Sequence, residues 1–147
     1  MDTSKKILVV EDDNFLGELL IEYLDKGGNK AILSRDAETA LKMIRQDPPL
    51  LVLLDLLLPG MSGLELLETL KTENIVPGLP VIILSNLAQK EKIKKAIELG
   101  ARDFLVKANF DLKEIANKVR TTLEIDMESN EETPRENTSV SPQNSSS

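Results

Sequence analysis

Short runs of apolar residues recur along the chain and are separated by longer, mixed segments. Five such runs lie at Ile7–Val10, Ala31–Leu33, Leu50–Leu54, Val81–Leu84 and Phe104–Val106. Runs without alternating polar residues are typical of strands that a parallel sheet buries on both faces. The third run meets Asp55, and a carboxylate at the end of so apolar a strand is costly unless it has a partner. The sequence therefore raises the question of what Asp55 contacts.

The segments between these runs have the period of amphipathic helices. Apolar residues at the spacing i, i+3, i+4 recur in them, and Ser62 with Glu65 forms a capping-box pattern ahead of the third helix. This alternation of strand and helix predicts an α/β fold with helices on both faces of a parallel sheet. We therefore predict a doubly wound, flavodoxin-like (βα)5 sheet of five strands in the order 2-1-3-4-5. Its ligand site should lie at the carboxyl ends of the first and third strands.

The composition changes near the end of the chain. Residues 128–147 contain one large apolar residue, Val140, among abundant Ser, Asn, Glu and Pro. Such a segment cannot bury enough apolar surface to fold by itself. We therefore expect one domain over residues 1–127, followed by a disordered, acidic and Ser-rich tail, or the stub of a linker, over residues 128–147, with no second domain after it.

Composition also excludes several kinds of chemistry. The 147 residues contain neither Cys nor His, which excludes disulfides, thiol or histidine catalysis and metal sites built on those side chains. The net charge of −7 argues against nucleic acid as a direct ligand. The apolar run before Glu11 is too short for a signal peptide or a membrane span, so we expect a cytoplasmic protein without membrane insertion.

Polar side chains are predicted to meet at the carboxyl edge of the sheet. Glu11 and Asp12 follow the first strand, Asp55 ends the third, Ser85 the fourth and Lys107 the fifth. Neighbouring carboxylates repel one another, and a hard divalent cation with oxygen ligands, such as Mg²⁺, relieves that repulsion. Beside the cation and Lys107, Asp55 has the setting of a nucleophile that forms an aspartyl phosphate, to which Ser85 can donate a hydrogen bond.

These motifs resemble the receiver domain of two-component response regulators. The stretches that carry the resemblance are ILVVEDDNFLGELL, LLDLLLPGMSGLELL, VIILSN and GARDFLVK, in the family's order within residues 5–125. The resemblance implies that Asp55 is the phosphoacceptor and Lys107 the phosphate-binding lysine. It also implies a set of Mg²⁺ ligands, namely Glu11, Asp12, Asp55 and the backbone carbonyl of Leu57. The implied switch residues are Ser85 and Phe104.

The resemblance further implies protein partners. Because the chain has no His, a sensor histidine kinase or a histidine phosphotransfer protein is expected to supply the phosphoryl group. The fourth helix, fifth strand and fifth helix form the usual signalling face of this family. Dimerisation or contact with an unknown downstream protein is expected there. The lysines of the fourth helix either belong to this face or are simply solvated.

Other functions compete with phosphorelay signalling. The main alternative is a protein-binding module of the same fold that acts without phosphorylation, but the presence of Glu11, Asp12, Asp55 and Lys107 disfavours it. A phosphatase of the haloacid dehalogenase type would need a second Asp where this chain has Leu57. A GTPase is excluded because the sequence has no G-x-x-x-x-G-K loop. We expect no enzyme activity beyond self-phosphorylation and slow dephosphorylation.

The sequence departs from the family pattern beside the site. Lys107 is followed by Ala108 rather than by the usual cis-Pro, and a cis peptide before Ala costs about 2.5–4 kcal/mol, so a trans peptide is expected. Phe104 lacks the hydroxyl of the more familiar Tyr, and Asn86 is bulkier than the usual Ala or Gly. Asp13 is expected to cap the first helix rather than to bind the cation.

Overall fold

Strands and helices alternate along the whole described part of the chain. The computed structural model describes residues 6–107 and 111–135, and only the backbone of Leu87 and of residues 126–135. The strands are β1 (Ile7–Val10), β2 (Ala31–Ser34), β3 (Leu51–Asp55), β4 (Val81–Ser85) and β5 (Asp103–Val106). The helices are α1 (Asn14–Lys26), α2 (Ala37–Gln46), α3 (Gly63–Thr72), α4 (Lys90–Glu98) and α5 (Leu112–Arg135). All predicted strands are confirmed, with bounds that differ by at most one residue.

The strands form one parallel sheet in the order β2-β1-β3-β4-β5, as predicted. Val10 of β1 pairs with Leu54 of β3, so Glu11 and Asp55 leave the sheet side by side. Ser85 of β4 pairs with Val106 of β5, which places Lys107 at the same edge. The register therefore brings the polar residues that follow or end these strands to one edge of the sheet.

Apolar clusters cover both faces of the sheet. Alternate residues of a strand point to opposite faces, and each set belongs to its own cluster. The cluster with α2, α3 and α4 includes Leu8, Val10, Val52 and Leu54. The cluster with α1 and α5 includes Ile7, Val9, Leu51 and Leu53. All eight side chains are fully buried, which fixes the register because a slip of one residue would exchange the two faces.

Side-chain caps fix where the helices start. Asp13 caps α1 by accepting a hydrogen bond from Leu16 N at 3.2 Å, which confirms its expected role. Ser62 and Glu65 form the predicted capping box of α3, with reciprocal hydrogen bonds of 3.1 and 2.8 Å. These caps satisfy amide groups that a helix start leaves without partners. They also fix the loops that lead from β1 and β3 into the helices.

Helix α5 is longer than the sequence pattern suggests. Its backbone continues through Arg135 and so includes residues 128–135, for which composition predicts disorder. Glu has a good helix propensity and recurs in this stretch, but Ser129, Asn130, Thr133 and Pro134 do not favour a helix, so local propensity does not explain the extension. The domain boundary after Met127 stays a prediction, and residues 136–147 lie outside the described part of the chain.

No helix within residues 6–107 and 111–135 has the length and apolarity that crossing a membrane requires.

Gly63 lies where α3 begins beneath the end of β3, and its N–H donates to Leu56 O at 3.0 Å. A Cβ here would lie 2.5 Å from Asp55 O and 2.7 Å from Leu56 Cα, so the backbone that carries Asp55 would have to shift. We predict that Gly63→Ala lowers the free energy of unfolding by about 1–3 kcal/mol in urea titrations. Gly27→Ala is the control, because its Cβ would make only ordinary contacts, the nearest at 3.5 Å. Equal losses in both variants would contradict the steric explanation.

Candidate functional site

Asp55 is the last residue of β3, and its side chain is held from two directions. Its Oδ1 accepts a hydrogen bond from Leu57 N at 3.0 Å, and its Oδ2 accepts one from Lys107 Nζ at 2.8 Å. The residue is 3% exposed, so water solvates its charge only poorly. The partners of the Asp55 carboxylate are therefore the backbone N–H of Leu57, in the loop after β3, and the ammonium of Lys107, which follows β5.

Glu11 follows β1 and completes this arrangement from the other side. Its Oε1 lies 2.9 Å from Lys107 Nζ as an ion pair, and its Oε2 accepts a hydrogen bond from Asp13 N at 3.2 Å. Glu11 is buried as deeply as the apolar core, at 1% exposed. Lys107 thus bridges two buried carboxylates from neighbouring strand ends, an arrangement that sequence spacing does not reveal.

Glu11, Asp55 and Lys107 form a buried charged cluster with more negative than positive charge. Burial raises the pKa of Glu11 to about 7, and the charge of Asp55 adds to this rise, while Lys107 only partly offsets it. For Lys107, burial alone lowers the pKa, but the hydrogen bonds and charges of Asp55 and Glu11 outweigh it and the pKa is raised. Lys107 is therefore cationic at neutral pH, and one cation does not neutralise the cluster.

The raised pKa of Glu11 predicts a pH dependence of stability in the absence of metal. The folded protein holds the Glu11 proton up to about pH 7, whereas the unfolded chain releases it near pH 4.5. Stability therefore falls as pH rises through this window, because the folded state binds more protons. In EDTA, urea titrations from pH 5 to 8 should show a drop on the order of 1–3 kcal/mol in wild type that is absent in Glu11→Gln. Parallel curves for the two proteins would contradict this assignment.

The carboxylates of Glu11, Asp12 and Asp55 can share one ligand. Each has an oxygen within 4.8 Å of an oxygen of the other two, and Asp12 is exposed to solvent. Three carboxylate oxygens at one open site suit a hard cation that keeps part of its water shell, as Mg²⁺ does. The residues present therefore fit a divalent cation, which would also supply the missing positive charge.

Ser85 ends β4 at the same edge, and its hydroxyl is available. The residue is 3% exposed, and its Oγ has no hydrogen-bond partner among the described residues. A buried hydroxyl without a partner costs about 1–3 kcal/mol, so an incoming oxygen acceptor would recover that loss. Ser85 can therefore donate a hydrogen bond to an oxygen acceptor that enters this edge of the sheet.

Two further predicted site residues, Leu57 and Phe104, have partly exposed side chains. Leu57 donates its N–H to Asp55, and its side chain is 45% exposed. Phe104, on β5, is 40% exposed. The roles of the Leu57 carbonyl and of Phe104 stay predictions. The isomer of the Lys107–Ala108 peptide is not described, because Ala108 lies outside the described residues.

Comparison with known proteins identifies the family of this chain. The sequence profile of the response regulator receiver domain family matches residues 7–120. This chain belongs to the response regulator receiver domain family. Receiver domains are modules of two-component phosphorelay signalling. The family match and the strand order together confirm the resemblance and the fold predicted from the sequence.

Full-length relatives show how much of a response regulator this receiver matches. It is 30% identical over 120 residues to the phosphate regulon transcriptional regulatory protein PhoB of Escherichia coli, covering 82% of this chain and 52% of the relative. It is 36% identical over 141 residues to the DNA-binding response regulator MtrA of Mycolicibacterium smegmatis, covering 95% of this chain and 58% of the relative. The receiver thus spans about half the length of these relatives.

Solved structures of isolated receivers match over nearly their whole length. The NtrX receiver domain from Brucella abortus is 34% identical, with a TM-score of 0.74 over 81% of this chain and 98% of that one. A CheY-like receiver domain protein from Methanospirillum hungatei is 26% identical, with a TM-score of 0.77 over 85% of this chain and 98% of that one. The fold described above therefore matches nearly the whole of these receiver domains.

Proposed function

We propose that this receiver accepts a phosphoryl group on Asp55 in the presence of Mg²⁺ and passes the signal on through a change in its partner-binding face. The observation that carries the proposal is the pairing of buried Asp55 with Lys107 at 2.8 Å beside two further carboxylates. The proposed nucleophile, the Lys107 ammonium and the proposed Mg²⁺ ligands all lie at the carboxyl edge of the sheet. A histidine kinase is the partner that the family implies, and a histidine phosphotransfer protein is the second candidate donor.

The proposed reaction is a transfer from a phosphohistidine. A carboxylate oxygen of Asp55 attacks phosphorus while the P–N bond breaks. The electron pair of the P–N bond stays with the nitrogen of the leaving imidazole. Lys107 neutralises phosphoryl oxygens, and Ser85 donates its hydroxyl hydrogen to one of them. Glu11, Asp12, Asp55 and the Leu57 carbonyl would hold Mg²⁺, which supplies further charge neutralisation when bound. The receiver would thereby catalyse only its own phosphorylation and slow dephosphorylation.

Metal binding can be tested without phosphorylation. We predict that Mg²⁺ raises the melting temperature, because a ligand that binds only the folded state stabilises it by about 2.7 kcal/mol at a hundredfold excess over its Kd. Asp12→Asn should remove most of the shift, since Asp12 is an exposed member of the carboxylate cluster. Asp13→Asn is the matched control, because Asn caps a helix as well as Asp. Equal shifts in wild type and Asp12→Asn would contradict the ligand assignment.

The face formed by α4, β5 and α5 is the proposed partner surface. Lys92, Lys94 and Lys95 of α4 are exposed, and Ile97 and Phe104 are 41% and 40% exposed. Partly exposed apolar side chains among cations suit an acidic partner with an apolar contact, or a second copy of this chain. Sedimentation of the protein with and without phosphorylation distinguishes a phosphorylation-dependent dimer from a constitutive one.

A module that binds partners without phosphorylation is the second candidate function. The exposed side chain of Phe104 favours it, because the proposed partner face presents an apolar group that a partner could bury. Partner or dimer affinity that is the same before and after phosphorylation would support this candidate. Affinity that rises only after phosphorylation would support the phosphorelay switch.

We propose a cytoplasmic location, in line with phosphorelay signalling. The net charge of −7 favours a receiver that does not itself contact nucleic acid. The relative MtrA is named as DNA-binding, and this chain matches about half of it. DNA binding is therefore not proposed for these 147 residues.

A further inference from the structure

The loop between β3 and α3, residues 56–62, carries Leu57 and with it the proposed backbone ligand of Mg²⁺. The loop is fixed at both ends. Leu57 N donates to Asp55 Oδ1 at 3.0 Å, and Gly63 N donates to Leu56 O at 3.0 Å. Between these two hydrogen bonds the chain turns at Gly60, whose φ is +74°. Residues with a Cβ rarely adopt this left-handed conformation.

Glu38, in the first turn of α2, contacts this turn from outside the loop. Its Oε2 accepts a hydrogen bond from Met61 N at 3.2 Å. A Cβ on Gly60 would lie 3.2 Å from the same oxygen, so the carboxylate packs directly against the backbone of the turn. Glu38 and Met61 are 23 residues apart in sequence, and no motif pairs them. The turn is therefore held by a helix that does not itself enter the site.

The first turn of α2 is in turn tied to the strand end that carries Glu11. Glu11 N donates to Ser34 O at 3.0 Å, and the buried Ser34 Oγ donates to Asp36 O at 2.8 Å. Asp36 then caps α2 by accepting from Thr39 N at 2.6 Å. A continuous set of contacts thus runs from Glu11 on one side of the site to Glu38 and the turn on the other.

We propose that Glu38 is a positioning residue for the cation site: by holding the turn at Gly60 and Met61, it fixes the loop that carries the Leu57 carbonyl relative to Glu11. It acts through the loop and not by touching the cation. This inference rests on the proposed function, because it assumes that the site binds Mg²⁺. Partners that orient metal ligands from outside the coordination sphere commonly affect affinity in this way.

The test is the Mg²⁺ dissociation constant, measured by isothermal titration calorimetry on the full chain. Glu38→Ala should weaken Mg²⁺ binding about three- to tenfold. This effect lies at or below the range usual for residues that orient metal ligands, because the hydrogen bond between Glu38 and Met61 is solvent-exposed. Glu38→Gln keeps an acceptor oxygen for Met61 N and should restore most of the affinity. Glu68→Ala removes the same charge from a nearby exposed position on α3 and should bind like wild type.

A second readout needs no metal. Amide hydrogen exchange at Met61 should be faster in metal-free Glu38→Ala than in wild type, and unchanged in Glu68→Ala. Wild-type Mg²⁺ affinity or wild-type Met61 exchange in Glu38→Ala would overturn the inference alone, as would equal weakening by Glu38→Ala and Glu68→Ala. Absence of Mg²⁺ binding in the wild type would instead overturn the proposed function, and this inference with it.

Discussion

Asp55→Asn is expected to abolish labelling of this receiver by acetyl phosphate and Mg²⁺. The amide has nearly the size of the carboxylate and keeps an oxygen that can accept from Leu57 N, so the fold around it should persist. It lacks the negative charge that makes the carboxylate a nucleophile toward phosphorus. The measurement is radiolabel incorporated over time from the acyl phosphate, and the expected result for this variant is background.

Asp13→Asn is the matched control for that experiment. Asp13 lies beside the cluster, but its side chain caps α1, and Asn caps a helix equally well. This variant should be labelled at close to the wild-type rate. Undiminished labelling of Asp55→Asn would contradict the phosphoacceptor assignment, and loss of labelling in both variants would show that the effect is not specific to Asp55.

Self-dephosphorylation is expected to be slow in the native chain and much faster in the variant Leu57→Asn with Leu87→Glu. Hydrolysis of an aspartyl phosphate needs a water aligned opposite the leaving carboxylate. The residues two positions after Asp55 and two positions after Ser85 are Leu57 and Leu87, neither of which can accept a hydrogen bond from that water. Because polar side chains there could orient it, we predict an acceleration of about tenfold or more in the decay of phosphorylated protein.

The control for this experiment makes the same changes away from the site. Leu50 and Ile125 are 42% and 55% exposed, so Leu50→Asn with Ile125→Glu alters polarity without burying a charge. Its phosphorylated form should decay at the native rate. If Leu57→Asn with Leu87→Glu decays no faster than this control, positioning of water by these two residues does not set the lifetime.

The residues of the site could be predicted from the sequence because each follows or ends a strand. Aliphatic runs mark strands buried on both faces, and the parallel order fixes which strand ends are neighbours. That reasoning brings Glu11, Asp55, Ser85 and Lys107 to one edge, where the structure places them. It also assigns Asp13 to the cap of α1, as the hydrogen bond to Leu16 N confirms.

The contacts within the site could not be predicted, because they depend on side-chain direction. Spacing does not show that Lys107 lies 2.9 Å from Glu11 as well as 2.8 Å from Asp55. The bond from Met61 N to Glu38 also joins segments without a shared pattern. Composition also does not predict that α5 continues through Arg135, because composition reports the ability to form a core and not the extension of a helix that already exists.

The mass of the intact protein after incubation with acetyl phosphate, in Mg²⁺ and in EDTA, tests the central claim most directly. With Mg²⁺, the account predicts the addition of one phosphoryl group, located by peptide mapping on the peptide that contains Asp55. With EDTA, it predicts little or no addition, because the carboxylates of Glu11, Asp12 and Asp55 then repel the incoming dianion. An unmodified mass in Mg²⁺, or a phosphoryl group on any other residue, would contradict the account.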